Sequence, residues 1–147
     1  MQQVTGGLVS EEELRRIICE PLAGDLLVKV ADKLGDQLST TLKASQIRAI
    51  FDEAQRIGSL FRTEKFEEAV RRAHLLDPKI SYRAKRVAER DRKAGSAAEL
   101  IADVLKKALR IVLERTDDRD EVRARYVRFL EFFEAIVAYH KAHGGKD

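Results

Sequence analysis

Few side chains in this sequence have the type and spacing that catalysis or metal binding requires. His140 and His143 are three residues apart, so one turn of a helix would place both imidazoles where they could bind one metal ion. The sequence positions no third ligand, and histidines in the last turn of a helix are favoured there by its dipole alone. Glu134 lies in a largely apolar segment; a buried carboxylate can be catalytic, but an ion pair with a neighbouring arginine is the simpler expectation. We therefore expect no enzymatic activity, no metal and no other cofactor.

Basic residues form the pattern that points to a ligand. Four of them recur at i, i+4, i+7 and i+11: Lys79, Arg83, Arg86 and Arg90. This spacing places all four on one face of a helix, where they repel one another and gain none of the stabilisation of i,i+4 ion pairs. A charge run is often only a solvated face. With so few acids beside it, this run also indicates an anionic partner, most simply a phosphate backbone.

The apolar pattern predicts that an all-α, single-domain bundle of five to six helices carries these residues, with no convincing strand. Ser10 and Glu13 form a capping box that opens a first helix. Pro21 can begin a second helix, with Gly35 as its stop and a loop over residues 36–42. A third helix, predicted over residues 44–61, carries a weaker basic face, to which Lys43, Arg48 and Arg56 belong.

The middle of the chain carries several boundary signals. Proline disfavours a helix interior, so a fourth helix is expected to end near Pro78. The basic stripe then lies on a separate helix over residues 79–93, broken by Gly95. Ser96 and Glu99 form a second capping box, which would open the next helix.

The C-terminal segment has the strongest helical periodicity. Apolar residues follow a 3.6-residue period from Val122 to His140, and further apolar positions lie on neighbouring faces. A helix that is apolar over so much of its circumference packs on several sides, so we expect it to be the spine of the bundle. Asp117 or Asp118 would cap its start.

Composition limits the classes of protein to which the chain can belong. Its 147 residues are 44% hydrophobic and 36% charged, with a net charge of +3, which describes one soluble, mildly basic domain. No apolar run is long enough to span a membrane, and the first ten residues do not form a secretory signal. Cys19 is the only cysteine, so an intrachain disulfide is excluded. These features predict a cytoplasmic protein.

Three segments, in this order, resemble a known family. They are Ser45-Gln46-Ile47-Arg48 before an amphipathic helix, the sequence LDPKISYRAKR over residues 76–86, and FFEAIVAYHK over residues 132–141. Together they resemble the small helical subunit of the type III-A CRISPR (Csm) effector complex. The resemblance covers roughly residues 42–142. We therefore divide the one domain into an N-terminal helical segment of unassigned role, residues 1–41, and a helical core with an RNA-binding face, residues 42–147.

The resemblance implies a non-catalytic subunit of an antiviral ribonucleoprotein. Such subunits stack in several copies and contact RNA backbone without reading its sequence. The implied partners are guide RNA, target RNA, other subunits of the Csm complex and copies of the chain itself. Three residues match the family's basic motifs: Arg48, Lys79 and Arg86. The stripe argument adds four further RNA-binding candidates: Lys43, Arg56, Arg83 and Arg90.

Other positions are expected to be structural. Phe133, Glu134 and Tyr139 form a signature that would hold the last helix, and Tyr82 is expected in the core more than on a base. The apolar face of residues 97–114 could serve self-association. Two alternatives remain open: a helical adaptor whose basic face binds an acidic protein, and a small enzyme that uses Glu134 or the two histidines.

Overall fold

A computed structural model describes residues 3–4 and 8–147. Its elements, in chain order, are β1 (Gln3–Val4), β2 (Val9–Ser10), α1 (Glu11–Cys19), α2 (Gly24–Ser39), α3 (Ala44–Arg62), α4 (Phe66–Arg90), α5 (Arg92–Val112), a 3₁₀ turn (Leu113–Arg115) and α6 (Arg119–Ala142). The two short strands form an antiparallel pair that the sequence did not predict. The six α-helices confirm the all-α, single-domain bundle.

Helix α6 is the spine of this bundle, as predicted. It packs along α2 and also contacts α1, α3 and α5. Its apolar stripe is fully buried: Val122, Tyr126, Phe129, Phe133, Ile136 and His140. Aromatic contacts join it to α3, where the rings of Phe51 and Phe133 have centroids 5.1 Å apart.

Three arginines of α6 bind the C-terminal ends of three other helices. They are Arg123, Arg125 and Arg128, and each donates a hydrogen bond from its guanidinium group. The acceptors are, in the same order, the carbonyls of Phe61 in α3, Ile111 in α5 and Ile18 in α1, at 3.0, 2.9 and 2.9 Å. Carbonyls in the last turn of a helix have no partner within that helix, and the dipole favours a cation there. These three arginines therefore have a structural role, because their side chains join α6 to the ends of the other helices.

Two predicted helix starts are confirmed. The Glu13 N–H donates to Ser10 Oγ at 3.0 Å, and the Ser10 N–H donates to the Glu13 carboxylate at the same distance, which completes the first capping box. At the start of α6 the carboxylate of Asp118 accepts the Glu121 N–H at 3.1 Å. Both signals lie within one turn of chain, so they form wherever the helix does.

The predicted helix end at Pro78 is wrong. Helix α4 continues through this residue, whose ring lies on the exposed side. Leu76 and Ile80, on either side of it, are buried in the core. The Asp77 carboxylate also forms an ion pair with Arg110 of α5 at 3.3 Å. Packing on both sides of the proline thus offsets the backbone hydrogen bond that its missing N–H costs.

The predicted break at Gly95 and the second capping box are also wrong. Asp91 is the single residue between α4 and α5, and its side chain caps α5 by accepting two N–H groups of the first turn. Gly95, Ser96 and Glu99 therefore lie inside α5. A Cβ atom at Gly95 would be 3.2 Å from Ala88 Cα, so this glycine permits a close approach of the two antiparallel helices.

Gly35 does not end α2, and this prediction too is wrong. The helix begins at Gly24 instead of Pro21 and includes residues 36–39 of the predicted loop. Gly35 is buried against α6, and the last helical residue is Ser39. Gly35 thus allows α2 to pack closely on α6.

The apolar face of α5 is already covered within the bundle. Its large residues are buried, among them Ile101, Val104, Leu105 and Leu109. Helix α4 packs along this face. The expectation that residues 97–114 offer a surface for self-association is therefore wrong. Among the described residues, no helix has the apolar length needed to cross a lipid bilayer.

Candidate nucleic-acid interface

The C-terminal half of α4 and the first turn of α3 border an open groove, which we call the arginine groove. It is lined by Ser45, Gln46, Tyr82, Arg83, Arg86, Val87 and Arg90. Ile47 in α3 and Ile80 in α4 are buried and hold the two helices in the core. Because these anchors face inward, the helical period directs the side chains at positions 83, 86 and 90 toward the groove.

The three arginines of this groove form no ion pair with an acid of the described chain. Within the described part of the chain, no carboxylate lies within ion-pair distance of Arg83, Arg86 or Arg90. Arg86 instead donates from Nη1 to the hydroxyl of Tyr82 at 3.1 Å. A guanidinium without a carboxylate partner retains its full attraction for an anionic ligand, and its planar fork matches the geometry of a phosphate group.

Two of the predicted RNA-binding residues share one acid, whose single charge offsets only part of theirs. Glu53 of α3 forms ion pairs with Lys79 at 3.4 Å and with Arg56 at 3.6 Å. Lys79 borders a neighbouring depression whose lining mixes acids and bases, including Glu67 and Arg71. The predicted stripe on α4 is therefore divided between two environments, and only its C-terminal three residues share the arginine groove.

Lys43 and Arg48 lie exposed at the start of α3. Lys43 offers no side-chain acceptor to cap the helix. The Ala44 N–H instead donates to the carbonyl of Lys146 at 2.7 Å, so the segment after α6 folds back and supplies the missing cap. The two cations thus stand beside a helix N-terminus that is held in place from the other end of the described chain.

An acid of this returning segment, Asp147, lies near one of these cations, Arg48. Lys141 donates to the Asp147 carboxylate at 2.5 Å. This hydrogen bond, together with the charges of Lys141 and Arg48, holds the pKa of Asp147 below its ordinary value. Asp147 therefore competes weakly with a phosphate for the exposed Arg48 guanidinium, whereas Arg83, Arg86 and Arg90 have no such competitor in the described chain.

An apolar cleft opens beneath the arginine groove and shares Gln46, Arg83 and Val87 with it. Its remaining walls are apolar side chains of the core, such as Ile50, Leu105 and Phe133. Its cavity volume is about 30 Å³, which is the share of one water molecule in the liquid. Sites for small molecules usually have volumes of roughly 300 Å³ or more, so this cleft is too small to be one.

Tyr82 is not in the core, and that expectation is wrong. Its exposed fraction is 59%, and its ring lies in the arginine groove. The helical period explains this position, because Ile80 and Ala84 face inward on either side of it. The signal was available in the sequence, since Tyr82 and Arg86 are four residues apart and so share one face of the helix.

The two histidines do not form a metal site. His140 is buried, with Nε2 2.5 Å from the carbonyl oxygen of Leu42 and Nδ1 without a partner. His143 is partly exposed, and its Nε2 lies 2.5 Å from the Asp32 carboxylate of α2. The rings therefore bind different parts of the bundle. Nowhere in residues 8–147 do three or more His, Cys, Asp or Glu side chains meet in a group that could hold a metal ion.

The three signature residues of α6 lie in different environments. Phe133 is buried, whereas Tyr139 is half-buried and stacks on the ring of His143 at 6.2 Å between centroids. Glu134 is exposed, and no described arginine or lysine forms an ion pair with it. The expected ion pair is therefore wrong, and a buried catalytic carboxylate is equally wrong at this position. In the part of the chain that the structure describes, its carboxylate has no ion-pair partner through which it would hold the helix.

Residues 22–146 match the family model described as Csm2 Type III-A. The chain belongs to this family. Csm2 proteins are small subunits of the type III-A CRISPR Csm complex, associated with its other subunits and with CRISPR RNA. Searches of curated proteins and of solved structures gave no match.

The Csm2 match reaches further along the chain than the sequence resemblance did. It begins before α2, at residue 22, and continues through the segment that caps α3. Every residue of the arginine groove lies within it. The antiparallel pair of strands and α1 lie before it, and α1 packs on α5 and α6.

Proposed function

We propose that this chain binds guide and target RNA in the Csm complex through the sugar-phosphate backbone, without sequence specificity and without catalysis. The observation that carries the proposal is the arginine groove, where Arg83, Arg86 and Arg90 have no carboxylate partner in the described chain. Lys43 and Arg48 extend the positive surface from the start of α3. Lys79 and Arg56 contribute less, because both form ion pairs with Glu53, which offsets part of their charge.

The chemistry of the groove favours phosphates over base edges. Contacts from arginine to phosphate fix the position of a strand but carry no sequence information. The groove has one amide that could read a base edge, that of Gln46, and its oxygen already accepts the Lys43 N–H at 2.8 Å. Binding should therefore depend steeply on salt and only weakly on sequence.

We also propose that copies of the chain contact one another and other subunits through surfaces outside the groove, in a cytoplasmic ribonucleoprotein that acts in antiviral defence. Large apolar residues that are exposed outside the groove support such contacts: Leu22, Val28, Leu75 and Val127. A protein that keeps such residues on its surface offers partners apolar anchors beside its charged groups. The division into residues 1–41 and 42–147 stays a prediction, although α1 and α2 share one core with the rest of the chain.

The decisive experiment is fluorescence anisotropy of the purified chain with a labelled, unstructured single-stranded RNA, titrated over a range of salt. The test variant is Arg83→Ala/Arg86→Ala. The matched control is Arg71→Ala/Arg72→Ala, which removes the same charge from the same helix outside the groove. We expect the test variant to lose affinity and salt dependence while the control keeps most of both.

Unchanged circular dichroism and melting temperature must accompany the loss, because both substitutions are on exposed or partly exposed positions of α4. Equal losses in the two double variants would mean that net charge alone is responsible and would contradict the groove. Absence of RNA binding by the unaltered chain at low salt, with retention of an acidic protein partner, would favour the adaptor.

A further inference from the structure

Tyr82 is an exposed aromatic residue inside a groove of unneutralised arginines. Among residues 8–147, it is the one large apolar side chain of high exposure that lines this groove. The Arg86 guanidinium carbon lies 5.8 Å from the centroid of its ring, and Nη1 donates to its hydroxyl. A cation over a ring and a hydrogen bond at its tip hold the tyrosine in one orientation.

The surrounding helix fixes the backbone positions of this pair. Helix α4 is continuous over the region, and Ile80 and Ala84 pack inward on either side of Tyr82. A ring whose orientation is fixed before binding loses little conformational entropy when a planar ligand lies on it. With 59% of the residue exposed, the ring has room for such a ligand.

We propose that Tyr82, held by Arg86, is a stacking site for an unpaired nucleobase of RNA. This inference rests on the proposed function, because the same groove must carry the strand. Sites for single-stranded nucleic acid combine a positively charged groove with aromatic rings on which bases stack, and such stacking tolerates every base. Arg83 follows Tyr82 directly and Arg90 lies about 10 Å further along the same helix, so successive phosphates beside the stacked nucleotide have a guanidinium nearby.

The stacking site adds a property that backbone contact alone does not have. Bases in a duplex are stacked on one another and cannot lie on a protein ring, whereas a single strand presents them freely. The chain should therefore prefer a single strand over a duplex, and a strand with bases over one without them. It should show no preference among the four bases that exceeds their differences in stacking strength.

The test compares two labelled single-stranded RNAs of equal length and charge, one complete and one with abasic sites through its centre. The unaltered chain should bind the complete strand roughly tenfold more tightly, since stacking of one base on an aromatic ring has that order of magnitude. Tyr82→Ala should abolish this difference in affinity, while the salt dependence of binding stays unchanged. Leu75→Ala, also exposed on α4 but outside the groove, should leave the difference intact.

A second readout uses Tyr82→Trp, because the chain has no tryptophan. Its fluorescence should be quenched by the complete strand and much less by the abasic one. Equal affinity for both strands in the unaltered chain, with no effect of Tyr82→Ala, would overturn the stacking site and leave backbone binding intact. Equal loss on both strands with a reduced salt slope would show that Tyr82 only positions Arg86, and would also overturn it. Failure to bind either strand at low salt would overturn the proposed function as well.

Discussion

Gly35 of α2 and Tyr139 of α6 lie so close that no other residue type fits at position 35 without displacement. A Cβ atom there would be 2.5 Å from Tyr139 Cβ and 2.7 Å from the backbone nitrogen of His140. The third close atom is Tyr139 C at 2.8 Å, so all three obstructing atoms belong to the backbone or adjoin it, and a change of side-chain rotamer does not relieve the overlap. Helices α2 and α6 can therefore approach this closely only because position 35 is glycine.

Gly35→Ala should lower the free energy of unfolding by about 1–3 kcal/mol, because the helices must separate to admit the methyl group. Urea denaturation followed by helical circular dichroism measures this loss. Gly24→Ala is the matched control, since no atom lies within 4 Å of a Cβ at that position. Equal stability of the two variants would contradict the close crossing.

Glu53→Gln should strengthen RNA binding. The substitution removes the charge that pairs with Lys79 and Arg56, so both cations become available to phosphates. The slope of log affinity against log salt should steepen by about 0.7–1.4, since each of one or two additional phosphate contacts contributes roughly 0.7 on a single strand. Anisotropy titrations with single-stranded RNA measure both quantities.

The control for this gain is Glu131→Gln, which removes the same charge from an exposed position on α6. If both variants gain equally, the effect comes from net charge and the ion pairs of Glu53 are irrelevant. By the same argument Lys79→Ala should cost less affinity than Arg83→Ala.

Arg125→Leu should destabilise the fold by about 2–3 kcal/mol without affecting RNA affinity of the folded protein. It removes the donor to the Ile111 carbonyl. It also leaves the Glu121 carboxylate without its partner, the Arg125 guanidinium, which lies 2.8 Å away in the unaltered protein. Thermal and denaturant unfolding measure the effect. Arg16→Ala breaks only an exposed pair within one helix and should cost less than about 0.5 kcal/mol. Similar costs for the two variants would show that α6 does not tie down α5.

The pair formed by Arg15 and Glu114 should make stability depend on acid pH. Two hydrogen bonds, of 2.7 and 2.8 Å, join α1 to the 3₁₀ turn and hold the pKa of Glu114 below its ordinary value of 4.5. A carboxylate with a lowered pKa stabilises the fold above its ordinary pKa, and this contribution disappears as pH falls through the lowered value.

Both side chains of this pair are nearly half exposed, so solvent screening limits the contribution to less than about 1 kcal/mol. Glu114→Gln should therefore be slightly less stable than the unaltered chain near neutral pH, and equally stable once the carboxylate is protonated. Urea unfolding at a series of pH values measures the difference. A stability difference between the two proteins that persists in strong acid would mean that packing, and not the charge of Glu114, causes it.

The parts of the fold that the sequence predicted correctly depend on local signals. The capping pair of Ser10 and Glu13 spans one turn, and the apolar period of α6 is long enough to read without knowledge of its neighbours. The errors at Gly35, Pro78 and Gly95 have one physical cause. Glycine and proline weaken a helix locally, but contacts with a second helix decide whether it continues, and such contacts are not visible in a single stretch of sequence.

The candidate site shows the same division. The spacing of basic residues correctly placed Arg83, Arg86 and Arg90 on one face, because that face lies within one helix. The pairing of Lys79 with Glu53 joins residues that are 26 positions apart on different helices, so sequence spacing could not reveal it. Only the packing of α3 on α4 determines which cations remain free.

The arginines of α6 have a consequence for how the chain is made. The bond from Arg128 to the Ile18 carbonyl joins residues 110 positions apart, and α1, α3 and α5 all have carbonyl ends bound by the last helix. A ribosome releases those helices first, so their carbonyl ends and the apolar surfaces that pack on α6 stay uncovered until α6 emerges. Long-range closure of this kind slows folding. A chain interrupted before residue 119 should therefore be a target for proteases and chaperones, and the bundle should close in one late step.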